Sequence, residues 1–266
     1  VAFARLLWRV DAKSLWWDES LSLQRAESPL ADLLLGHFVF DDGITQTLSF
    51  DQHPFVYFLL LGGLMRVAGQ SDFVLRFPSV AAATLLIPAA WALARLLVRR
   101  RVLPSGAAIW AALLAAANPF YLWYGREVRM YSLVPLLALV SSYLLLRGWA
   151  EDSRPAARRY LLGYLVTLLL LLGTHYLAVL ILPVHAIIVL VRLAARSRRQ
   201  AGLVVVGLLA AGALIAWALD RLVLKSPGAG TNFPVVSLPV MARDLLNAFS
   251  LGLSVDVSRV LWLDLV

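Results

Sequence analysis

Ala117-Asn118-Pro119-Phe120-Tyr121-Leu122-Trp123-Tyr124-Gly125-Arg126-Glu127-Val128-Arg129-Met130-Tyr131 closes one apolar segment, sets Arg126, Glu127 and Arg129 side by side, and opens the next apolar segment at once. A charged corner between two membrane spans is expensive to hold near hydrocarbon, so such residues usually carry a task. The chain around it is 61% hydrophobic over 266 residues, with a mean hydropathy of +0.79. That is too apolar for a soluble globule and predicts an all-α polytopic membrane protein. No cysteine is present, which excludes disulfides and thiolate metal sites. The formal charge of +8 does not point to nucleic acid. The arginines gather in short runs between apolar segments, the placement that orients a membrane protein.

Working outward, apolar runs predict spans over 74–98, 106–124 and 130–146, two shorter ones over 160–172 and 177–191, and a last one over 201–224. The runs Arg95/Arg99/Arg100/Arg101, Arg147/Arg154/Arg158/Arg159 and Arg192/Arg196/Arg198/Arg199 are assigned to the cytoplasmic side. Parity then places the Gly125–Arg129 hinge and His175 on the outer side, together with everything from Asp11 to Asp72, provided the apolar run after His53-Pro54 does not cross. That run is about 15 residues long, short for a span, and is read as a re-entrant or interfacial helix. Residues 10–52 carry eight acids (Asp11, Asp18, Glu19, Glu27, Asp32, Asp41, Asp42, Asp51) against Lys13 and Arg25. The expected organisation is therefore the end of a truncated first transmembrane helix (1–9), a long first extracytoplasmic loop with interfacial or re-entrant helices (10–73), a transmembrane helical module (74–225), and an extracytoplasmic loop leading to the start of a further truncated span (226–266).

Chemistry concentrates on that outer side. Asp18 and Glu19 follow Trp16-Trp17, rings suited to the interface. A carboxylate there is placed to deprotonate a hydroxyl; the bland alternative is an acidic helix start favoured by the dipole. Glu127 between Arg126 and Arg129 reads either as a local ion-pair cluster or as a second acid beside guanidinium groups that grip phosphate. Arg76 either snorkels to headgroups or contacts a lipid phosphate. His53 and His175 fall on the same side; two lone histidines do not make a metal site, although a divalent metal stays open. They suit hydrogen bonds to a phosphate or sugar, whereas His185, inside an apolar run, suits a structural place. Tyr121, Trp123, Tyr124 and Tyr131 serve either as sugar-stacking rings or as an aromatic belt.

The motifs Ser14-Leu15-Trp16-Trp17-Asp18-Glu19, Asp51-Gln52-His53-Pro54-Phe55-Val56-Tyr57, Gly69-Gln70-Ser71-Asp72 leading to Leu75-Arg76-Phe77-Pro78-Ser79, Arg126-Glu127-Val128-Arg129-Met130-Tyr131-Ser132 and Thr174-His175-Tyr176 occur in that order. In this the chain resembles the C-type glycosyltransferases, closest to the bacterial branch related to protein O-mannosyltransferases and lipid A aminoarabinose transferases. The resemblance covers about residues 5 to 225. Each motif is short, and their order and shared placement carry the specificity. Phe55 departs from the pattern, where a second proline is usual, which bears on turn geometry more than on chemistry. The resemblance implies a C-type glycosyltransferase transmembrane module with a long first extracytoplasmic loop in the bacterial cytoplasmic membrane, surrounded by lipid. It also implies a polyprenyl-phosphate sugar donor, no further cofactor and inversion at the anomeric carbon. It casts Asp18 as base and Glu19 as its support, with Glu127 as second-loop acid. Arg129, Arg76 and His53 would stabilise the leaving phosphate, and Arg126, Tyr131 and His175 would contact substrate.

Two other classes fit the composition. A lipid-linked sugar transporter would spread charges through the midplane of several spans, while here charges gather at one face. A non-catalytic scaffold of a larger assembly would bind no polyprenyl phosphate.

Overall fold

The computed structural model describes residues 1–194, 202, 205–206 and 237–250. The expected span over 201–224, most of the Arg192–Arg199 run, the loop from Lys225 and the final apolar stretch lie outside or almost wholly outside these residues. Two compact units are distinguished, Val1–Ala178 with Asp244–Val266, and Val179–Arg243. The candidate site lies in the first.

Among the described residues, three helical stretches are long and apolar enough to cross a membrane: Asp72–Arg99, Met130–Gly148 and Arg154–Leu172. The first, α5 in the order α1 (Ala2–Leu7), α2 (Trp17–Glu27), α3 (Leu30–Leu35), α4 (Val56–Ala68), α5 (Asp72–Arg99), is the scaffold of the site. Ser71 caps it by accepting a bond from the Val74 N–H at 3.4 Å, and Asp72 in its first turn complements the helix dipole. Pro78 and Pro88 sit inside it, which a membrane helix tolerates when neighbours reoccupy the freed backbone groups. Helix α5 packs against α6 (Ala107–Ala117) and α8 (Leu133–Gly148), and α8 against α9 (Arg154–Leu172). In the second unit, α10 spans Ile181–Ala194 and buries His185.

The expected single span over 106–124 is instead two helices, α6 and α7 (Pro119–Tyr124). Pro119 lacks an N–H and forces the residue before it out of the helical region. Asn118 accordingly adopts φ −61°, ψ 121° and caps the new helix, its side chain accepting from Phe120 N–H at 2.9 Å. Gly125 then ends α7 against its neighbours: a Cβ there would sit 2.6 Å from the Tyr121 carbonyl oxygen and 2.8 Å from Ala83 Cβ. Only glycine lets the hinge pass this close to α5.

The acid-rich stretch before α4 holds α2, α3 and a two-stranded antiparallel hairpin, β1 (His37–Asp41) and β2 (Gln46–Phe50), which adds a small sheet to the helices of the described residues. Its loop is set by Asp42, whose carboxylate accepts from Ile44 N–H at 2.8 Å and Thr45 N–H at 2.7 Å, and by Gly43 at φ +82°. Helix α4 is 13 residues long, about 20 Å at 1.5 Å per residue, against roughly 30 Å of hydrocarbon.

One apolar cluster ties this stretch to the hinge. Ala26 of α2, Leu33 of α3, Tyr57, Phe58, Leu61 and Met65 of α4 and Leu75 of α5 enclose Val128 and Met130, both fully buried. Burying those two side chains stabilises the hinge by about 1.5–3 kcal/mol each. Arg129 between them is extended at φ −143°, ψ 158°, so its side chain points opposite to those of its two neighbours. With Val128 and Met130 committed to the core, Arg129 faces the other way, toward Asp18 and Ser22, and Glu127 meets the Trp123 indole.

Candidate active site

The start of α2 and the hinge meet where those two side chains point. Glu19, in the first turn of α2, reaches back to accept from the Trp16 N–H at 3.2 Å with one carboxylate oxygen. Its other oxygen accepts from the Val128 N–H at 2.8 Å, 109 residues away. Arg129 lies 3.7 Å from the Asp18 carboxylate and donates to the Asp18 carbonyl at 3.4 Å and to Ser22 Oγ at 3.2 Å. The Arg129 carbonyl in turn accepts from Ser79 Oγ of α5 at 2.9 Å. The acid pair and the Arg-Glu-Arg corner are therefore in direct contact, on the same side of the molecule.

A cavity of about 530 Å³ opens at this contact. Glu19 and Glu127 are the acids in its wall, Lys13, Arg76 and Arg126 the cations, and Trp16, Trp123, Tyr124 and Tyr131 the rings. Arg76 is buried and occupied. Its Nε donates to the Arg126 carbonyl at 3.0 Å, Nη1 to Asp72 at 2.8 Å and Nη2 to the Lys13 carbonyl at 2.8 Å, with Glu19 3.8 Å away. Arg126 donates to the Trp8 and Arg9 carbonyls at 2.8 and 2.7 Å, tying the hinge to the end of α1. The Lys13 ammonium lies 4.1 Å from the centre of the Trp123 ring, and Trp123 donates its indole N–H to Glu127 Oε1 at 2.6 Å.

Glu127 is 8% exposed, and its Oε2 is buried without a partner. Burial pushes its carboxyl up to about 7, nearby Glu19 and Asp18 add to the rise, and the Trp123 bond and Arg129 oppose it. A carboxyl at that value exchanges its proton near neutrality.

His53 and His175 are brought together, ring centres 5.2 Å apart, but in a second cluster beyond Tyr131, which lies 6.3 Å from His175 and 4.7 Å from Tyr124. Asp51 accepts from His53 Nδ1 at 2.6 Å and from its backbone N–H at 3.0 Å, and Arg25 holds Asp51 at 2.9 Å. Burial alone would raise the Asp51 carboxyl, but these bonds outweigh it and hold it at about 2. His175 is pushed down to about 4 by burial, then by His53 and Arg129, and so is neutral; its Nδ1 accepts from the Leu177 N–H at 3.0 Å. Among the described residues no group of three or more His, Cys, Asp or Glu side chains is placed to hold a metal ion.

Sequence reasoning gave no role to Lys13, Arg25 or Asp51. Asp51 stood inside a quoted motif, and its spacing of two from His53 was the available signal. Nothing local marks Lys13 or Arg25, whose partners are distant in the chain.

No individual curated protein matches the chain. The sequence model of one family, described as dolichyl-phosphate-mannose-protein mannosyltransferase, matches residues 52–220, well over half of the chain and including α4, α5, the hinge and His175. The motif order, the apolar helices and this match agree: the chain belongs to the dolichyl-phosphate-mannose-protein mannosyltransferase family of membrane glycosyltransferases.

Proposed function

We propose that this membrane glycosyltransferase moves a sugar from a polyprenyl-phosphate carrier to an acceptor hydroxyl, with inversion, on the extracytoplasmic face of a bacterial cytoplasmic membrane. The acceptor oxygen bonds to the anomeric carbon as the bond from that carbon to the phosphate oxygen breaks. The bonding pair leaves with the polyprenyl phosphate, and the acceptor proton passes to Asp18.

The contact between acid pair and hinge, Val128 N–H to Glu19 at 2.8 Å beside Arg129 and Asp18 at 3.7 Å, carries this reading. Asp18 is the freer of the two carboxylates. Its side chain is 32% exposed against 4% for Glu19, and both Glu19 oxygens accept from backbone N–H groups. Glu19 thus positions the base rather than replacing it. Glu127, with Oε2 unpartnered, orients a substrate hydroxyl. Arg129 and Arg76 offset the charge that grows on the departing phosphate, since fixed cations in a water-poor site do this most effectively; His53, bonded to Asp51 beyond Tyr131, positions the loop before α4 instead. Arg126, Tyr131 and His175 shape the surroundings of the substrate.

Asp18→Asn keeps the size and the backbone contacts of Asp18 and removes the base. Sugar transfer from a polyprenyl-phosphate donor in membranes should fall about a hundredfold or more, while expression and insertion hold. Turnover within a few-fold of wild type removes Asp18 from the role.

A further inference from the structure

We infer that Lys13 grips the phosphate of the lipid-linked donor, an inference that rests on the sugar-transfer reading above. The cavity wall holds three cations, and they differ in what they have left to give. Every guanidinium nitrogen of Arg76 already faces an oxygen, from the Arg126 carbonyl, Asp72 or the Lys13 carbonyl. Arg126 spends Nη2 on the carbonyls of Trp8 and Arg9. The ammonium of Lys13 has no carboxylate or carbonyl partner among the described residues; it rests 4.1 Å from the centre of the Trp123 ring. That contact places the charge without using its three N–H donors.

The neighbouring acid is open as well. Trp123 touches Lys13 with its ring and Glu127 Oε1 with its N–H, and Glu127 Oε2 is buried, unpartnered and in the wall of the same cavity. A free cation and a free carboxyl oxygen, one indole apart, match the two ends of a sugar phosphate: phosphate oxygen at Lys13, sugar hydroxyl at Glu127. As the bond from the anomeric carbon to the phosphate oxygen breaks and its electron pair stays on the phosphate, Lys13 offsets the added charge. The acceptor proton goes to Asp18 as before. Lysine suits this place because a compact, mobile charge follows a phosphate as it departs, where a fork fixed by backbone carbonyls does not.

The test compares binding of a polyprenyl phosphate with binding of the matching uncharged polyprenol to the full chain in detergent, for wild type, Lys13→Ala and Lys13→Arg. Wild type should prefer the phosphate. Lys13→Ala should weaken phosphate binding about tenfold or more, the scale of one lost charge-assisted contact, and leave polyprenol binding unchanged. Lys13→Arg, which keeps the charge, should recover most of the loss and shows that the position tolerates change. If wild type prefers the phosphate and Lys13→Ala binds it within twofold of wild type, the assignment of Lys13 is overturned and the transfer reading survives. If wild type does not distinguish the two lipids, the donor reading falls and the assignment with it.

Discussion

On one side of Tyr131, the Arg25–Asp51–His53 knot is closed. Arg25 is 1% exposed, and each nitrogen of its guanidinium has an acceptor: Nε and Nη2 share the Leu33 carbonyl at 3.3 and 3.0 Å, while Nη1 serves Asp51 and the His53 carbonyl at 2.9 and 2.7 Å. On the other side, the hinge is open, with Glu127 Oε2 and Arg129 Nε buried and unpartnered. Each such atom costs about 1–3 kcal/mol, and a fold keeps that cost where something else recovers it. The closed cluster positions α2, α3 and the loop before α4; the open one keeps two polar atoms with unused bonding capacity. Charge alone does not separate the two, since both combine arginine with a carboxylate. Saturation does.

The strongest way to break that contrast is to open the closed side. Arg25→Met keeps an apolar stem but removes the guanidinium, whose carbon lies 4.1 Å from the centre of the Phe58 ring, and with it every bond to Leu33, Asp51 and His53. Asp51 would then be left 14% exposed without its cation. The expected loss of stability is about 3–5 kcal/mol, read as earlier thermal unfolding in detergent. An unchanged unfolding temperature would mean that the knot holds nothing.

The same contrast explains what was legible in the sequence. Hydrocarbon demands long apolar runs, so α5 was readable almost to its ends, 74–98 against Asp72–Arg99. The break in 106–124 was written in Asn118-Pro119, but an unbroken apolar stretch hid it. The hairpin over 37–50 carried an Asp42-Gly43 turn signal; five-residue strands amid acids were too short to show a period. At the site, short motifs marked Asp18, Glu19, Glu127 and Arg129 because their chemistry is local. Lys13 acquires its place through Trp123 and Arg76, and Arg25 through Leu33, Asp51, His53 and Phe58. Such partners are set by tertiary packing, which no local pattern encodes.

A smaller effect tests the open side through pH. Glu127 has an ordinary value of 4.5 and is raised to about 7 in the folded protein, by burial first. Between those values the folded state holds a proton that the unfolded chain has released, so stability falls as pH rises from about 4.5 to about 7. The full cost approaches about 3 kcal/mol. Glu127→Gln removes the titrating group and should flatten this slope, making the variant more stable than wild type at about pH 8 and little changed at about pH 5. A slope that survives the substitution belongs to another group and takes Glu127 out of the open cluster.

The smallest effect sharpens the comparison at a single bond. Trp123→Phe keeps a ring beneath Lys13 but deletes the N–H that Glu127 Oε1 accepts at 2.6 Å. That bond favours the ionised carboxylate and opposes the rise caused by burial. Without it both oxygens of Glu127 are unpartnered, and its titration should move up by about one pH unit, the equivalent of one hydrogen bond of about 1.4 kcal/mol. Unfolding followed against pH should then show the descending limb extended above about 7 in Trp123→Phe and absent in the double variant with Glu127→Gln. A limb that stays in place would mean that the indole bond does not restrain Glu127, and the open cluster would lose the contact that links its acid to Lys13.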